Sequence, residues 1–326
     1  MKVISEIINA IKRSETFFIA GHIKPDGDTV GTSLALSSLL KRMRKKPSLY
    51  SLEPVPPYLL FLQGANKIKT AQKVSGEFDC AIILECIDLD RMGNLITAEQ
   101  TCNLINIDHH KSFSLYGHIN YIDSSASSSA ELVFNIFKQM KMKILPHEAE
   151  ALYIALVTDT GKFQQANTTP KALRMAAELV EAGVVPSLVY GKLYATQTLA
   201  SLNILGAALS TLKLTPSGKI AYIEITREMY KTTKSEASDT EGIINYAMMI
   251  PGVVAAIMFR ETETHGLIKI SMRSKDHFDV NKIAKHFNGG GHKNASGCSI
   301  KGSMVSAQKT MLAFTEKLIK KGGRAL

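Results

Sequence analysis

The sequence predicts an α/β protein of two domains: an N-terminal parallel sheet, a helical connector and a smaller second α/β unit. Three observations carry that expectation. Apolar strand-like runs alternate with helical spacing over residues 15–125, as in a parallel sheet covered by helices. From Ser127 to residue 212 only helical spacing continues. Beyond the turn signal Thr215-Pro-Ser-Gly218 the strands alternate apolar and polar residues between helices. A chain of 326 residues suits two domains, expected at 1–195 and 216–326 with residues 196–215 joining them.

In chain order, Val3, Ile4, Ile8, Ala10 and Ile11 give residues 1–14 the spacing of an amphipathic helix. Phe17–Gly21 reads as a strand, followed by the polar loop His22–Asp28 and a helix from Thr29 through Leu40. Ser48–Leu52 is a second strand, with Pro-rich Glu53–Pro57 as its loop. Phe78–Leu84, Cys102–Ile107 and Ile119–Ile122 are further strands. Helices are expected at Ala130–Met140, Pro146–Val157, Pro170–Ala182, Pro186–Tyr194 and Gln197–Leu212. Three of them open on a proline, which the first helical turn tolerates, and Gly183 suits a C-terminal cap. In the second domain Lys219–Thr226, Val253–Glu261 and Leu267–Arg273 read as strands, and 227–249, 279–287 and 303–320 as helices.

Composition excludes some classes. With 45% hydrophobic residues the chain can bury a core, and it holds no apolar run of about 18 residues that would span a membrane. Its start, Met1-Lys-Val-Ile-Ser-Glu-Ile-Ile, lacks the features of a signal peptide. Cys80, Cys86, Cys102 and Cys298 form no CxxC pair, so reduced thiols and a cytoplasmic location are expected. The net charge of +10 favours an anionic partner. Its basic runs, Lys41–Lys46 and Lys317–Arg324, also read as solvated helix ends.

Four element ends carry ligating side chains. Gly21-His22-Ile-Lys-Pro-Asp26-Gly-Asp28 leaves a strand and enters a helix, and Glu85 ends the strand 78–84. Asp108-His109-His110 ends an apolar run, and Asp159 stands where a helix breaks. Alone, an Asp before a helix is an N-cap and a strand-end His an ordinary surface residue. Together the four ends lie on one side of the predicted sheet, where open α/β proteins bind ligands. Carboxylates with imidazoles suit Mn²⁺ or Mg²⁺, and so many donors exceed the needs of one ion. Two ions about 3.5–4 Å apart, as in many phosphoesterases, would use them.

These residues resemble the DHH phosphoesterase superfamily, whose signature is a His-x3-Asp-x-Asp loop, a strand-end carboxylate, the Asp-His-His triplet and a later lone Asp. Gly289-Gly-Gly-His292-Lys-Asn-Ala-Ser296 and Ser271-Met-Arg273-Ser274 are similar to motifs of the DHH-associated C-terminal domain. The resemblance covers essentially the whole chain and implies a cofactor of two Mn²⁺, with Mg²⁺ or Co²⁺ as substitutes. By this resemblance His22 and Asp26 bind one ion, Asp28, His109 and Asp159 the other, and Glu85 bridges them. His110 faces the scissile phosphate, and Asp108 supports the cluster. The family more often has Asp at the bridging position, so Glu85 is a departure, with Asp88 as the fallback ligand. Arg91, Arg273, Ser274, Gly289, Gly290, Gly291, His292 and Ser296 are the implied substrate-binding residues, the glycines offering N–H groups as an anion nest. Glu241 also recurs in such domains.

A chain with only these two domains looks like the nano-RNase group. The implied activity is hydrolysis of short single-stranded RNA to nucleoside 5′-monophosphates, with 3′-phosphoadenosine 5′-phosphate as a further substrate. Linear or cyclic dinucleotides and a RecJ-like exonuclease activity are the alternative substrate readings. The resemblance allows a homodimer and implies no membrane. Readings from other classes are a catalytically silent nucleotide sensor and an RNA-binding module with a structural metal.

Overall fold

The computed structural model describes residues 2–110, 114–275 and 278–322. The chain divides into two compact units, Met1–Thr196 and Gln197–Leu326. Among the described residues no helix is long and apolar enough to cross a membrane.

In the first unit α1 (Lys2–Arg13) precedes β1 (Thr16–Ala20), α2 (Gly27–Arg42), β2 (Lys46–Ser51), β3 (Lys69–Thr70) and β4 (Phe78–Leu84). There follow β5 (Thr101–Asp108), β6 (Ile119–Ile122), α3 (Ser129–Gln139), α4 (Pro146–Asp159), α5 (Pro170–Glu181) and α6 (Pro186–Tyr194). The sheet order is β3-β2-β1-β4-β5-β6 and every pairing is parallel. Successive strand residues face opposite sides. Phe17, Ile19, Ile82, Leu84, Ile105 and Ile107 therefore join the helical core, while Phe18, Ala20, Ala81, Ile83 and Leu104 pack under Val74, Met92 and Leu95. Burial on both faces explains why these strands are continuous apolar runs.

Strand order reverses at β1, whose neighbours are β2 and β4. Such a reversal opens a crevice at the carboxyl ends of the strands. Helix α2 begins at Gly27, two residues before the expected start, because Asp26 caps it by accepting from the Thr29 N–H at 3.0 Å. Gly31 lets α2 lie against α4: a Cβ there would sit 2.2 Å from the Ala151 carbonyl oxygen.

The second unit runs α7 (Leu199–Ser210), β7 (Lys213–Leu214), β8 (Ile220–Ile225), α8 (Arg227–Thr233), α9 (Ile243–Met248) and β9 (Ala255–Glu261). It continues with β10 (Leu267–Ser274), α10 (Val280–His286), β11 (Gly290–His292), β12 (Ala295–Lys301) and α11 (Met304–Gly322). Its sheet order is β11-β12-β10-β9-β8-β7, antiparallel except for β8 with β9. Ile257, Phe259, Ile270 and Met272 pack with Val280, Ile283 and Met311; Ile223, Ala256 and Met258 pack with Ile204, Ala208 and Ile244.

Three expectations change here. The helix expected over 227–249 is two, because Lys234 (φ 54°) ends α8 in the left-handed region and Gly242 (φ 81°) precedes α9. The segment read as a connector, α7, buries Ile204 and Ala208 in the second unit's core. The glycines expected to form an anion nest lie at and within a paired edge strand, Gly290–His292, and its partner β12 was not anticipated.

Candidate metal centre

Close backbone approaches bring the element ends together. A Cβ on Gly21 would lie 2.2 Å from Thr29 Cγ2 and 3.1 Å from the Leu84 carbonyl oxygen, so the His22 loop rests against the end of β4. The Ile23 N–H donates to the Arg91 carbonyl at 2.8 Å, tying that loop to the segment after β4. A Cβ on Gly27 would lie 2.3 Å from Thr158 Oγ1. This small residue lets the start of α2, with Asp28, meet the end of α4, with Asp159. Glu85 turns the chain sharply as β4 ends (φ 60°), a left-handed conformation that costs a non-glycine residue about 1–2 kcal/mol. Such strain persists where the surroundings fix it, commonly at functional sites.

Three groups of ligating atoms result, each with its atoms within 4.8 Å of one another: His22, Asp26 and Glu85; Asp28, His109 and Asp159; and Glu85, His109 and His110. Glu85 spans the first two groups, with Oε2 3.8 Å from His22 Nε2 and Oε1 3.2 Å from His109 Nε2. His22 Nε2 lies 3.5 Å from Asp26 Oδ2. His109 Nε2 also lies 3.5 Å from Asp159 Oδ2 and 3.9 Å from Asp28 Oδ2, yet it is buried without a hydrogen-bond partner. A buried polar atom facing three carboxylates with no bond among them is what a cation-binding position requires.

Electrostatics agree with that fit. Burial, reinforced by the neighbouring Glu85, holds Asp28 well above the usual carboxylate range. Burial likewise pushes Glu85 from 4.5 up to about 8, with Asp26 and Asp159 adding repulsion, and raises Asp159. At Asp26 burial also pushes upward, but bonds to His22 and the Thr29 N–H outweigh it and the net shift is downward. The donor set therefore fits divalent cations: four carboxylates, three imidazoles and no thiolate, a combination suited to Mn²⁺ or Mg²⁺.

Side chains that the sequence reading did not single out orient these ligands. Asp28 receives the N–H groups of Ser129 at 2.7 Å and Ala130 at 3.1 Å, two of the unpaired donors at the start of α3, and the Thr32 hydroxyl at 2.9 Å. The Ser129 hydroxyl donates to Glu85 Oε1 at 2.9 Å, and that of Thr29 to Oε2 at 3.2 Å. Asn167 Nδ2 donates to the Asp159 carboxylate at 3.3 Å. The available signal was the serine run Asp123–Ser129 directly before an apolar helix, which by itself reads as a cap.

Asp108 lies beside the groups. Its Oδ1 accepts the His110 backbone N–H at 3.0 Å and meets His110 Nδ1 at 2.6 Å. Burial pushes Asp108 up, but these bonds outweigh it and its pKa falls below the usual value. Asp88 belongs to none of the three groups; it caps the short turn Leu89–Met92 by accepting from the Arg91 N–H at 2.9 Å. Arg91 is exposed on that turn.

The remaining expected residues gather in the second unit. Arg273 pairs across the sheet with Ala295, and Gly291 with Ser296, so Arg273, Ser274, Gly290–His292 and Ser296 lie on three neighbouring strands. Gly289 is needed for close approach, since a Cβ would fall 2.2 Å from the Gly297 carbonyl oxygen. Gly291 (φ 140°) takes a backbone other residues rarely adopt. Ser296 donates to the His292 carbonyl at 2.6 Å and Ser274 to that of Phe278 at 2.6 Å. Among the described residues Arg273 Nη1 reaches only the Met272 carbonyl, at 3.1 Å. Glu241 follows the turn Ala237–Thr240 and lies outside this group.

Comparison with known proteins agrees with this architecture. The model of the DHH family, N-terminal domain, matches residues 16–156, and that of the DHHA1 domain matches residues 218–321. The bifunctional oligoribonuclease and PAP phosphatase NrnA of Bacillus subtilis is 29% identical over 91% of this chain and 93% of its own length. The protein of the same name from Thermus thermophilus is 27% identical over 99% and 95%. The crystal structure of an exopolyphosphatase-related protein from Bacteroides fragilis, 30% identical, superposes with a TM-score of 0.80 over 97% of this chain and 96% of its own. The parallel sheet with its carboxylate and histidine crevice, and the glycine-rich sheet that follows, thus make this chain a member of the DHH family with a C-terminal DHHA1 domain.

Proposed function

We propose that this chain is a divalent-metal phosphodiesterase that degrades short single-stranded oligoribonucleotides to nucleoside 5′-monophosphates and also dephosphorylates 3′-phosphoadenosine 5′-phosphate. The observation that carries the reading is that Glu85, grouped with His22 and Asp26, also stands 3.2 Å from His109 of the second group, Asp28, His109 and Asp159. The names of the Bacillus and Thermus relatives support the substrate class.

His22 and Asp26 would hold one ion, Asp28, His109 and Asp159 the other, with Glu85 between them; Mn²⁺ is the ion this reading favours. When bound, such a pair activates water and draws charge from the phosphoryl oxygens. Asp108 holds the His110 ring through Nδ1, leaving Nε2 free to donate a proton to the departing ribose oxygen. A buried carboxylate behind the imidazole fixes its orientation and tautomer. Thr29, Ser129 and the start of α3 keep the Glu85 and Asp28 carboxylates oriented without reorganisation. In the second unit the Arg273 guanidinium, the Ser274 and Ser296 hydroxyls and the Gly289–His292 segment would bind a terminal phosphate; Arg suits this because its planar fork bonds two oxygens at once. Arg91 would meet a phosphate at the rim.

The test is incubation of the purified protein with a 5′-labelled diribonucleotide in Mn²⁺ and in EDTA. Release of mononucleotide in Mn²⁺ alone is expected. Binding without cleavage in Mn²⁺ overturns the enzyme reading. A panel of longer RNA, 3′-phosphoadenosine 5′-phosphate and cyclic di-AMP ranks the substrates, and preference for the cyclic compound would replace the proposed class.

A further inference from the structure

Helix α6 carries two faces. Val189 and Leu193, four residues apart, are buried, whereas exposed Tyr190 and half-buried Tyr194, which also packs against the core, form a second pair at the same spacing. Tyr190 is 55% exposed and its ring centre lies 5.5 Å from that of Tyr194. The short turn Pro57–Leu59 packs against α6 and carries Tyr58, 44% exposed. Lys162 completes the group, its ammonium 4.1 Å from the Tyr194 ring centre and 6.0 Å from that of Tyr190.

The backbone that delivers Lys162 is unusual. Gly161, Lys162 and Phe163 are consecutive left-handed residues, with φ of 55°, 63° and 62°. Phe163 is anchored edge-on against Tyr153 at 6.2 Å. This segment directs Lys162 to α6 only three residues beyond the ligand Asp159, and three residues span at most about 11 Å. Lys162 thus stands within about 11 Å of Asp159 along the chain, and the aromatic group belongs wholly to the first unit.

We propose that Tyr58, Tyr190 and Tyr194, with Lys162 beside them, form a base-stacking subsite for single-stranded RNA next to the metal centre. Every base offers a π-face, so exposed rings beside a cation bind single strands with little regard to sequence. Lys162 would meet the phosphate that follows a stacked base, and purines would stack more strongly than pyrimidines. The inference rests on the phosphodiesterase reading for its substrate class, and its test is separable from it.

The full chain in Mg²⁺ is titrated with a diribonucleotide carrying 2-aminopurine and a non-hydrolysable methylenephosphonate linkage. Stacking should quench the fluorophore. Tyr190→Ala should weaken binding about 10-fold and remove the quenching, while Tyr190→Phe, which keeps the ring, restores both. Lys162→Ala, a second exposed position, should weaken binding and flatten its salt dependence by about one phosphate contact. With cleavable substrates, the KM preference for ApA over UpU should collapse in Tyr190→Ala and persist in Tyr190→Phe. Quenching and KM ratio unchanged in Tyr190→Ala overturn the subsite, even if the wild type hydrolyses RNA. A changed sedimentation coefficient with quenching unchanged would make this face a contact between copies and also overturn it. Ring-dependent quenching without hydrolysis would uphold the subsite and remove the phosphodiesterase reading.

Discussion

Both units gather polar side chains at sheet margins, yet they do so in opposite ways. In the first, Asp28 and Glu85 are 1% and 2% exposed, each held by two or more donors from α2 and α3. In the second, Gly290, Gly291 and His292 are exposed on an edge strand, and among the described residues Arg273 is bonded only to a neighbouring carbonyl. Charge buried at such density is unfavourable unless a cation compensates it. Polar groups left at a margin carry little such penalty and are free to meet a ligand from solvent. The first arrangement suits chemistry, where pre-set geometry matters most, and the second suits capture. Substitutions in the two regions should therefore differ in kind: loss of kcat and of metal in one, loss of apparent affinity in the other.

The sharpest break in that contrast is His109→Ala. It removes the imidazole that lies 3.2 to 3.9 Å from three carboxylates. Hydrolysis should fall by about 10³-fold, the scale on which single pre-set electrostatic groups act. Calorimetric titration with Mn²⁺ should show one strong site lost. Full activity with two sites retained would remove His109 from the ligand set.

Crowding in the first unit also predicts a pH effect on the metal-free protein. Glu85 has a folded pKa of about 8 against 4.5 for the free group, and Asp28 is raised as well. A carboxyl raised on folding contributes stability that is fully present below its unfolded value and is lost as pH rises through the folded one. In EDTA the melting temperature should therefore fall between about pH 5 and pH 8.5, a loss of a few kcal/mol. Glu85→Gln should flatten this slope, and Mn²⁺ should abolish it in the wild type. Asp26 and Asp108, lowered on folding, act with the opposite sign, but below their ordinary value near 3.8, outside this window. A melting temperature in EDTA that rises toward pH 8 would contradict the proposed crowding.

How much of this was readable in advance follows from what each signal depends on. Phe78–Leu84 was read with its observed bounds because a strand buried on both faces is a nearly continuous apolar run; Ile119–Ile122, a half-buried edge strand, was also read with its observed bounds. The ligand positions stood out because carboxylates and imidazoles at element ends have few structural uses. The region 227–249 was misread because its break depends on Lys234 taking a left-handed backbone, which side-chain periodicity does not report. Strand β12 was missed because Ala295-Ser296-Gly297 lacks the apolar alternation of an ordinary strand. Ser129 was invisible for another reason: a serine before a helix reads as a cap, and only the fold reveals that its hydroxyl meets Glu85.

Ser129 tests the contrast more finely. Ser129→Ala removes a donor from Glu85 but leaves the α3 N–H groups on Asp28. Removing such a supporting bond should weaken Mn²⁺ binding about 10- to 100-fold, with kcat restored at high Mn²⁺. Ser296→Ala, which removes a bond to the His292 carbonyl in the second unit, should leave metal affinity unchanged. Equal loss of Mn²⁺ affinity in both variants would erase the distinction between the two regions.

The smallest effect is expected at Arg273, and it is the most informative about the second unit. Among the described residues its guanidinium pairs with no acid and reaches only the Met272 carbonyl, so truncation should cost little stability. If Arg273 forks onto a substrate phosphate, Arg273→Ala should raise KM about 10-fold and leave kcat within a factor of about 3, the mark of binding lost equally from ground and transition states. Arg273→Lys should recover only part of the affinity, since an ammonium cannot bond two phosphate oxygens in one plane. A fall in kcat with KM unchanged would instead assign Arg273 to the chemistry, and the division of labour between the buried crevice and the open sheet edge would fail.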